Sequence, residues 1–171
     1  MDYKEYIRDV NDFPQRGIIF KDITPLLASQ KAFSSVIDDL SVLIDDKFGI
    51  VNIAGIESRG FIFGSAIAAL NGEGFIPIRK EGKLPPPKVA TFSTKEYGTE
   101  MLEVKECEDK FNKVIIVDDV LATGGTLTAA EKLLNNAGYK VLGAVTLIDL
   151  TYLHNEIQIG GKPVYSLIQY Y

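Results

Sequence analysis

Val114-Ile115-Ile116-Val117-Asp118-Asp119-Val120-Leu121-Ala122-Thr123-Gly124-Gly125-Thr126 decides how the rest of the chain is read. Residues 114–117 are wholly apolar and β-branched, the composition of a central strand buried on both faces of a parallel sheet. The strand ends in two carboxylates. A small glycine-containing loop then opens a helix expected over 126–137, with Gly138 as its stop. In open α/β sheets, ligands bind beyond the carboxyl ends of the strands. Gly124 and Gly125 let backbone N–H groups approach an anion without a Cβ in the way. Thr123 and Thr126 add hydroxyl donors, and the helix directs its partial positive end at the same point. Two carboxylates set against a phosphate would repel it, so they suit neutral partners such as the vicinal hydroxyls of a ribose. A ribose 5-phosphate moiety meets both demands.

The plainer alternative is a buried strand followed by a turn with solvated acids. An acidic strand end also occurs in nucleotide hydrolases, but the chain has neither Gly-x-x-x-x-Gly-Lys-Ser/Thr nor Gly-x-Gly-x-x-Gly. Outward from this stretch, helices and strands alternate. Phe33, Val36, Ile37, Leu40, Leu43, Ile44 and Phe48 recur at helical spacing and predict a helix over 30–48, stopped by Gly49. Residues 51–55 read as a short buried strand, 60–70 as a helix ended by Asn71-Gly72, and 75–79 as a strand in which Pro77 restricts the position. The charged, proline-rich stretch 80–87 is an exposed loop. Residues 89–94 and 100–105 alternate apolar and polar side chains, as in an antiparallel hairpin around Tyr97-Gly98. Residues 141–150 and 164–169 supply the last strands.

This order predicts an α/β fold, a mostly parallel central sheet flanked by helices, in one domain spanning 1–171. Residues 1–28 stand outside the pattern. They hold a turn at 13–17 and the apolar Ile18-Ile19-Phe20, and are expected to form a small N-terminal hood over the sheet. The length of 171 residues suits one domain, and 46% hydrophobic with 24% charged residues suits a globular protein. No apolar run approaches the ~20 residues of a membrane helix. Charges at Asp2, Lys4 and Glu5 replace the apolar core of a signal peptide, so a cytoplasmic protein is expected. The net charge of -5 argues against nucleic-acid binding. Cys107 is the single cysteine, which excludes an intramolecular disulfide. His154, the single histidine, is read as a surface or capping residue.

The segment 117–126, Val-Asp-Asp-Val-Leu-Ala-Thr-Gly-Gly-Thr, closely resembles the signature by which type I phosphoribosyltransferases bind phosphoribosyl pyrophosphate (PRPP). The resemblance implies that Asp118 and Asp119 hold the ribose hydroxyls while Ala122, Thr123, Gly124, Gly125 and Thr126 cradle the 5-phosphate. Four further segments resemble the adenine phosphoribosyltransferases in the same order along the chain. They are Phe13-Pro-x-x-Gly-Ile-Ile-Phe-Lys-Asp-Ile23, Gly55-Ile-Glu-Ser-Arg-Gly-Phe-Ile-Phe-Gly64, Arg79-Lys-x-Gly-Lys-Leu-Pro85 and Glu96-Tyr-Gly-Thr-x-x-Leu-Glu103.

Residues 55–60 make sense as a second anion loop, since they link strand to helix and carry Arg59, whose planar fork matches phosphate oxygens. By resemblance this is the pyrophosphate loop, with a cis peptide at Glu57–Ser58. The resemblance makes the loop near 80–96 mobile, closing over the site so that Lys80 and Lys83 reach the pyrophosphate. It places the Ile19 carbonyl and the Lys21 amide on the adenine edge, with Phe20 able to stack on the ring. Lys21 departs from the arginine common there. Glu96 would meet the imidazole edge as a protonated donor. The catalytic set is then Arg59, Lys83 and Glu96. Mg2+ is expected as the cofactor, held mainly by PRPP oxygens. The implied reaction takes PRPP and adenine to AMP and pyrophosphate in a homodimer. Two alternatives stand beside it. One is a PRPP-binding regulator without catalysis. The other is an enzyme for a 6-oxopurine or orotate, which would want a lysine in the final strands, where only Lys162 offers a match.

Overall fold

The computed structural model describes residues 1–95 and 98–171. Two of the expectations fall on the remaining pair: Glu96 at the base and Tyr97 in the hairpin turn lie outside the described residues. The chain divides into two compact units, residues 1–39 and 40–171.

In the first unit, strands β1 (Arg8–Asn11) and β2 (Ile19–Asp22) pair antiparallel, with Asp9 opposite Lys21 and Val10 opposite Phe20. The cross-strand pair Asp9/Lys21 is tied by a 2.7 Å ion pair. The turn between them is closed by Asp12, whose Oδ1 accepts from the Gly17 N–H at 2.7 Å. The Phe13 ring meets Phe20 edge-on, with centroids 5.1 Å apart. A short helix α1 (Thr24–Ala28), begun by a proline at its first turn, precedes α2 (Gln30–Phe48). Buried Tyr3 donates its hydroxyl to the Asp39 carboxylate.

The second unit holds a seven-stranded sheet, built from β3 (Asn52–Ile56), β4 (Phe75–Lys80), β5 (Val89–Lys95), β6 (Gly98–Val104), β7 (Lys113–Leu121), β8 (Lys140–Leu150) and β11 (Tyr165–Tyr170). Their order is β11-β8-β7-β3-β4-β6-β5. The first five strands run parallel, and the β5/β6 hairpin joins antiparallel through Arg79–Glu103 and Lys80–Leu102. Pro77 pairs with Gly55 of β3 at a position where β6 has not yet begun to pair, so its missing N–H breaks no second ladder. Two-residue strands β9 (Gln158–Ile159) and β10 (Lys162–Pro163) form a small separate hairpin, which the sequence reading does not anticipate.

Helices α3 (Arg59–Asn71) and α4 (Gly125–Asn136) cover opposite faces of the sheet. Alternation along β3 sends Ala54 and Ile56 into the core that holds Leu127, Ala130, Leu133 and Leu134 of α4. Gly55 and Ile53 point the other way, against α3, where Gly64 sits so close that a Cβ would lie 3.0 Å from Phe75 and 3.4 Å from Gly55 Cα. The expected α/β architecture with a mostly parallel sheet is therefore present. One boundary differs: β7 does not end at Val117 but continues through both aspartates to Leu121, because β8 is long enough to pair with it as far as Asp149.

Candidate active site

Strand order places the site. β3 leads through α3 to β4 on one side, whereas β7, its neighbour on the other side, leads through α4 to β8. Where neighbouring strands send their connections in opposite directions, a crevice opens at their carboxyl ends. Two loops leave the carboxyl ends of these strands: residues 57–58 after β3, flanked by Gly55 and Gly60, and 122–124 after β7.

The start of α3 is pressed onto β7. A Cβ at Gly60 would lie 2.7 Å from the Val117 carbonyl and 3.0 Å from Asp118 Oδ1, so only glycine lets the helix begin here. This brings Arg59 to Asp119, with Nε 3.0 Å from Oδ2. Asp119 is 3% exposed. Asp118 Oδ1 accepts from the Asp119 N–H at 2.9 Å. Burial, reinforced by the neighbouring Asp119 charge, raises the Asp118 carboxyl well above its ordinary range. Burial also raises Asp119, against the pull of the Arg59 cation.

Beyond β7, Ala122, Thr123 and Gly124 form the loop; Thr123 is exposed and Gly124 buried. Gly124 is the N-cap of α4 at φ +80°, and no side chain caps the helix. The first N–H groups of an uncapped helix point outward without intrahelical partners, which suits a phosphate. Ala122, Gly125 and Thr126 are half-buried around this point.

The Glu57–Ser58 peptide is cis, as the resemblance implies. Sequence reasoning passed over Glu57 itself. Its N–H donates to the Ile78 carbonyl at 2.9 Å, and its Oε2 accepts from the Lys80 N–H at 2.9 Å and from Arg79 Nε at 3.0 Å. The Lys80 N–H, followed by Arg79, holds this carboxyl below its usual range despite desolvation. Glu103 was missed as well. Nearly buried, it accepts from Lys88 Nζ at 2.6 Å and the Gly82 N–H at 3.2 Å, and the Lys88 bond lowers its carboxyl. These two acids pin the ends of the expected loop. Lys80 Nζ stands 2.8 Å from Glu100 Oε1, and Lys83 is exposed.

Ile19, Phe20 and Lys21 form β2 of the first unit; Ile19 is 47% exposed, and the Lys21 ammonium is engaged by Asp9. Lys162, the one match for an oxo-base lysine, donates to the Lys47 carbonyl at 3.0 Å and lies 4.7 Å over the Phe48 ring. His154 is not a surface residue: its side chain is 9% exposed and bonds Asp149. Among the described residues, no group of three or more His, Cys, Asp or Glu side chains converges to hold a metal ion.

Residues 24–156 match the family model of the phosphoribosyl transferase domain. An adenine phosphoribosyltransferase of Thermotoga sp. (strain RQ2) is 48% identical over 99% of this chain and 100% of its own length. The chain belongs to the adenine phosphoribosyltransferases. A crystal structure of adenine phosphoribosyltransferase from Thermoanaerobacter pseudethanolicus matches with a TM-score of 0.86 at 40% identity, covering 99% of this chain and 98% of that one. The Saccharomyces cerevisiae enzyme, complexed with adenine and an imino-altritol bisphosphate, matches with a TM-score of 0.86 at 33% identity, covering 97% and 96%. The acid pair, Arg59 and the uncapped α4 terminus all lie within the span matched by the family model.

Proposed function

We propose that this chain transfers the 5-phosphoribosyl group of PRPP to adenine, forming AMP and pyrophosphate in purine salvage. The observation that carries the reading is the meeting of Arg59 with the buried Asp119 beside the uncapped start of α4. One crevice thereby offers a cation, hydroxyl acceptors and phosphate donors.

Magnesium, held mainly by the oxygens of PRPP itself, would neutralise charge on the pyrophosphate. The 5-phosphate settles on the N–H groups of residues 122–126. Asp118 and Asp119 take the two ribose hydroxyls. Arg59, which stands on Asp119 before substrate arrives, exchanges that carboxylate for the pyrophosphate, while Asp119 exchanges Arg59 for a hydroxyl. Lys80 and Lys83 join from the loop anchored by Glu57 and Glu103. Closure of that loop excludes water, which protects an oxocarbenium-like centre from hydrolysis. Adenine N9 attacks C1 as the C1–oxygen bond to pyrophosphate breaks, the anomeric centre inverts, and the proton lost from the adenine imidazole leaves with the pyrophosphate. No covalent nucleophile is required, because positioning and charge stabilisation supply the rate. The base is read by the Ile19 carbonyl, the Lys21 amide and Phe20 of the N-terminal hood, with Glu96 at the imidazole edge. The protein works in the cytoplasm as a homodimer.

A purine panel tests the reading. Purified protein with magnesium and PRPP is followed for pyrophosphate release with adenine, hypoxanthine, guanine and orotate in turn. Release with adenine alone is expected. Release with another base would overturn the roles of residues 19–21 and Glu96. No release with any base, alongside tight PRPP binding, would make the chain a sensor.

A further inference from the structure

The loop read as the phosphate site has no side-chain cap of its own. Gly124 lies at φ +80° with no side chain to fix it, and no side chain caps α4. A side chain from outside the loop packs directly against it. A Cβ at Gly124 would lie 2.1 Å from Ile157 Cδ1 and 3.2 Å from Ile157 Cγ1, so the Ile157 side chain occupies the space against the loop's central residue.

Ile157 belongs to a connection that is tied down on both sides of it. Upstream, Asp149 stands at the carboxyl end of β8, in register with Leu121 of β7 and Gln169 of β11. Its Oδ1 meets His154 Nε2 at 2.8 Å, and the other ring nitrogen, Nδ1, is 2.6 Å from the Asn155 carbonyl. The two side chains are only 9% and 10% exposed, so water competes little for this pair. Thr151 adds a bond from its hydroxyl to the Tyr170 carbonyl at 2.9 Å. Downstream, the Gly160 N–H donates to Glu131 Oε1 of α4 at 2.7 Å. The His154 ring is thus wedged between a strand end and the backbone that carries Ile157, three residues on.

We infer that Asp149 and His154 are positioning residues for the 5-phosphate: they fix the 151–157 connection so that Ile157 holds Gly124, and with it the N–H groups of residues 122–126, in the anion-binding geometry. The inference rests on the phosphate-loop reading given above. Neither side chain need touch substrate; both act through Ile157.

The two anion loops make a selective test possible. Titration calorimetry with ribose 5-phosphate probes the loop at 122–126, and magnesium pyrophosphate probes the loop at 57–59. For His154→Ala we expect ribose 5-phosphate affinity to fall about tenfold, the scale set by sub-ångström misplacement of binding groups, with pyrophosphate affinity unchanged. Ile157→Ala should reproduce that selective loss, and His154→Gln, which keeps a donor for Asp149, should recover part of it. If His154→Ala does not fold, the other two variants decide. Equal loss for both ligands would mean a general structural role and overturn the inference, as would unchanged ribose 5-phosphate affinity in the Ile157 and His154 variants. A wild-type protein that does not bind ribose 5-phosphate would instead remove the phosphate-loop reading on which the inference stands.

Discussion

Asp118 shows what the site demands of a single side chain. Desolvation and then the charge of Asp119 raise its carboxyl, so the folded chain keeps a proton that the unfolded chain has released at the same pH. The associated stability is complete below the unfolded value of ~3.9 and is lost as pH rises through the raised folded value. Asp118→Asn abolishes that loss. At neutral pH the variant's Tm should rise, by about 2–4 °C for each kcal/mol regained, while its PRPP affinity falls. Calorimetry checks both, and a lowered Tm would mean that the carboxylate is favourably held instead. Arg59 is the complementary case, because it pairs with the buried Asp119 and is proposed to take the leaving group as well. Arg59→Ala should reduce kcat by about 10²–10³ and also destabilise the apo protein by stranding a buried acid. In an Arg59→Ala/Asp119→Asn double variant, the stability should return and the kcat should not. Recovery of kcat as well would show that Arg59 acts only through Asp119.

Among elements, contact between α3 and β7 leaves no slack. Gly60→Ala would push a methyl group to 2.7 Å from the Val117 carbonyl, and overpacking of this kind costs about 1–3 kcal/mol. A urea midpoint equal to wild type would show that α3 moves aside without cost. The loop at 80–88 hangs instead on two acids whose carboxyls are lowered, chiefly by the Lys80 N–H at Glu57 and by Lys88 at Glu103. Such groups contribute stability that is present above the unfolded pKa and lost as pH falls through the folded one. Glu103→Gln should therefore speed tryptic cleavage after Lys83, and an unchanged rate would deny Glu103 its anchoring role. Sequence patterns made some of these elements legible and hid others. The spacing of apolar residues from Phe33 to Phe48 is enough to bound α2, since a helix buries one stripe. The end of β7 was hidden because Asp118 and Asp119 look like a strand terminus, and only pairing with β8 extends it. The roles of Glu57 and Glu103 go unread, and His154 reads as a surface or capping residue, because their partners are set by the fold. The Gly160-Gly161 turn of the small β9/β10 hairpin was a signal available in the sequence, since paired glycines between short extended stretches mark such turns.

At the scale of the whole molecule, a chain of net charge -5 has to bind a polyanion through local attraction. A ligand at a hundred times its Kd stabilises the fold by about 2.7 kcal/mol. PRPP with magnesium should accordingly raise the Tm, and a chelator should abolish the rise for PRPP but not for AMP. A rise that survives chelation would show that PRPP binds without the ion. The sheet has one more effect on the substrate. The loops proposed for pyrophosphate and for the 5-phosphate leave adjacent strands, β3 and β7, locked at Gly55 opposite Val117. The bases of the two loops are therefore set by the ~4.8 Å spacing between hydrogen-bonded strands, whereas the loops beyond them take their shape from side-chain packing such as Ile157 on Gly124. The sheet acts as a ruler beneath both loops: an analogue lengthened by one methylene between its two phosphate groups should bind more weakly than PRPP, and equal affinity by calorimetry would show that the loops, not the strands, set the distance.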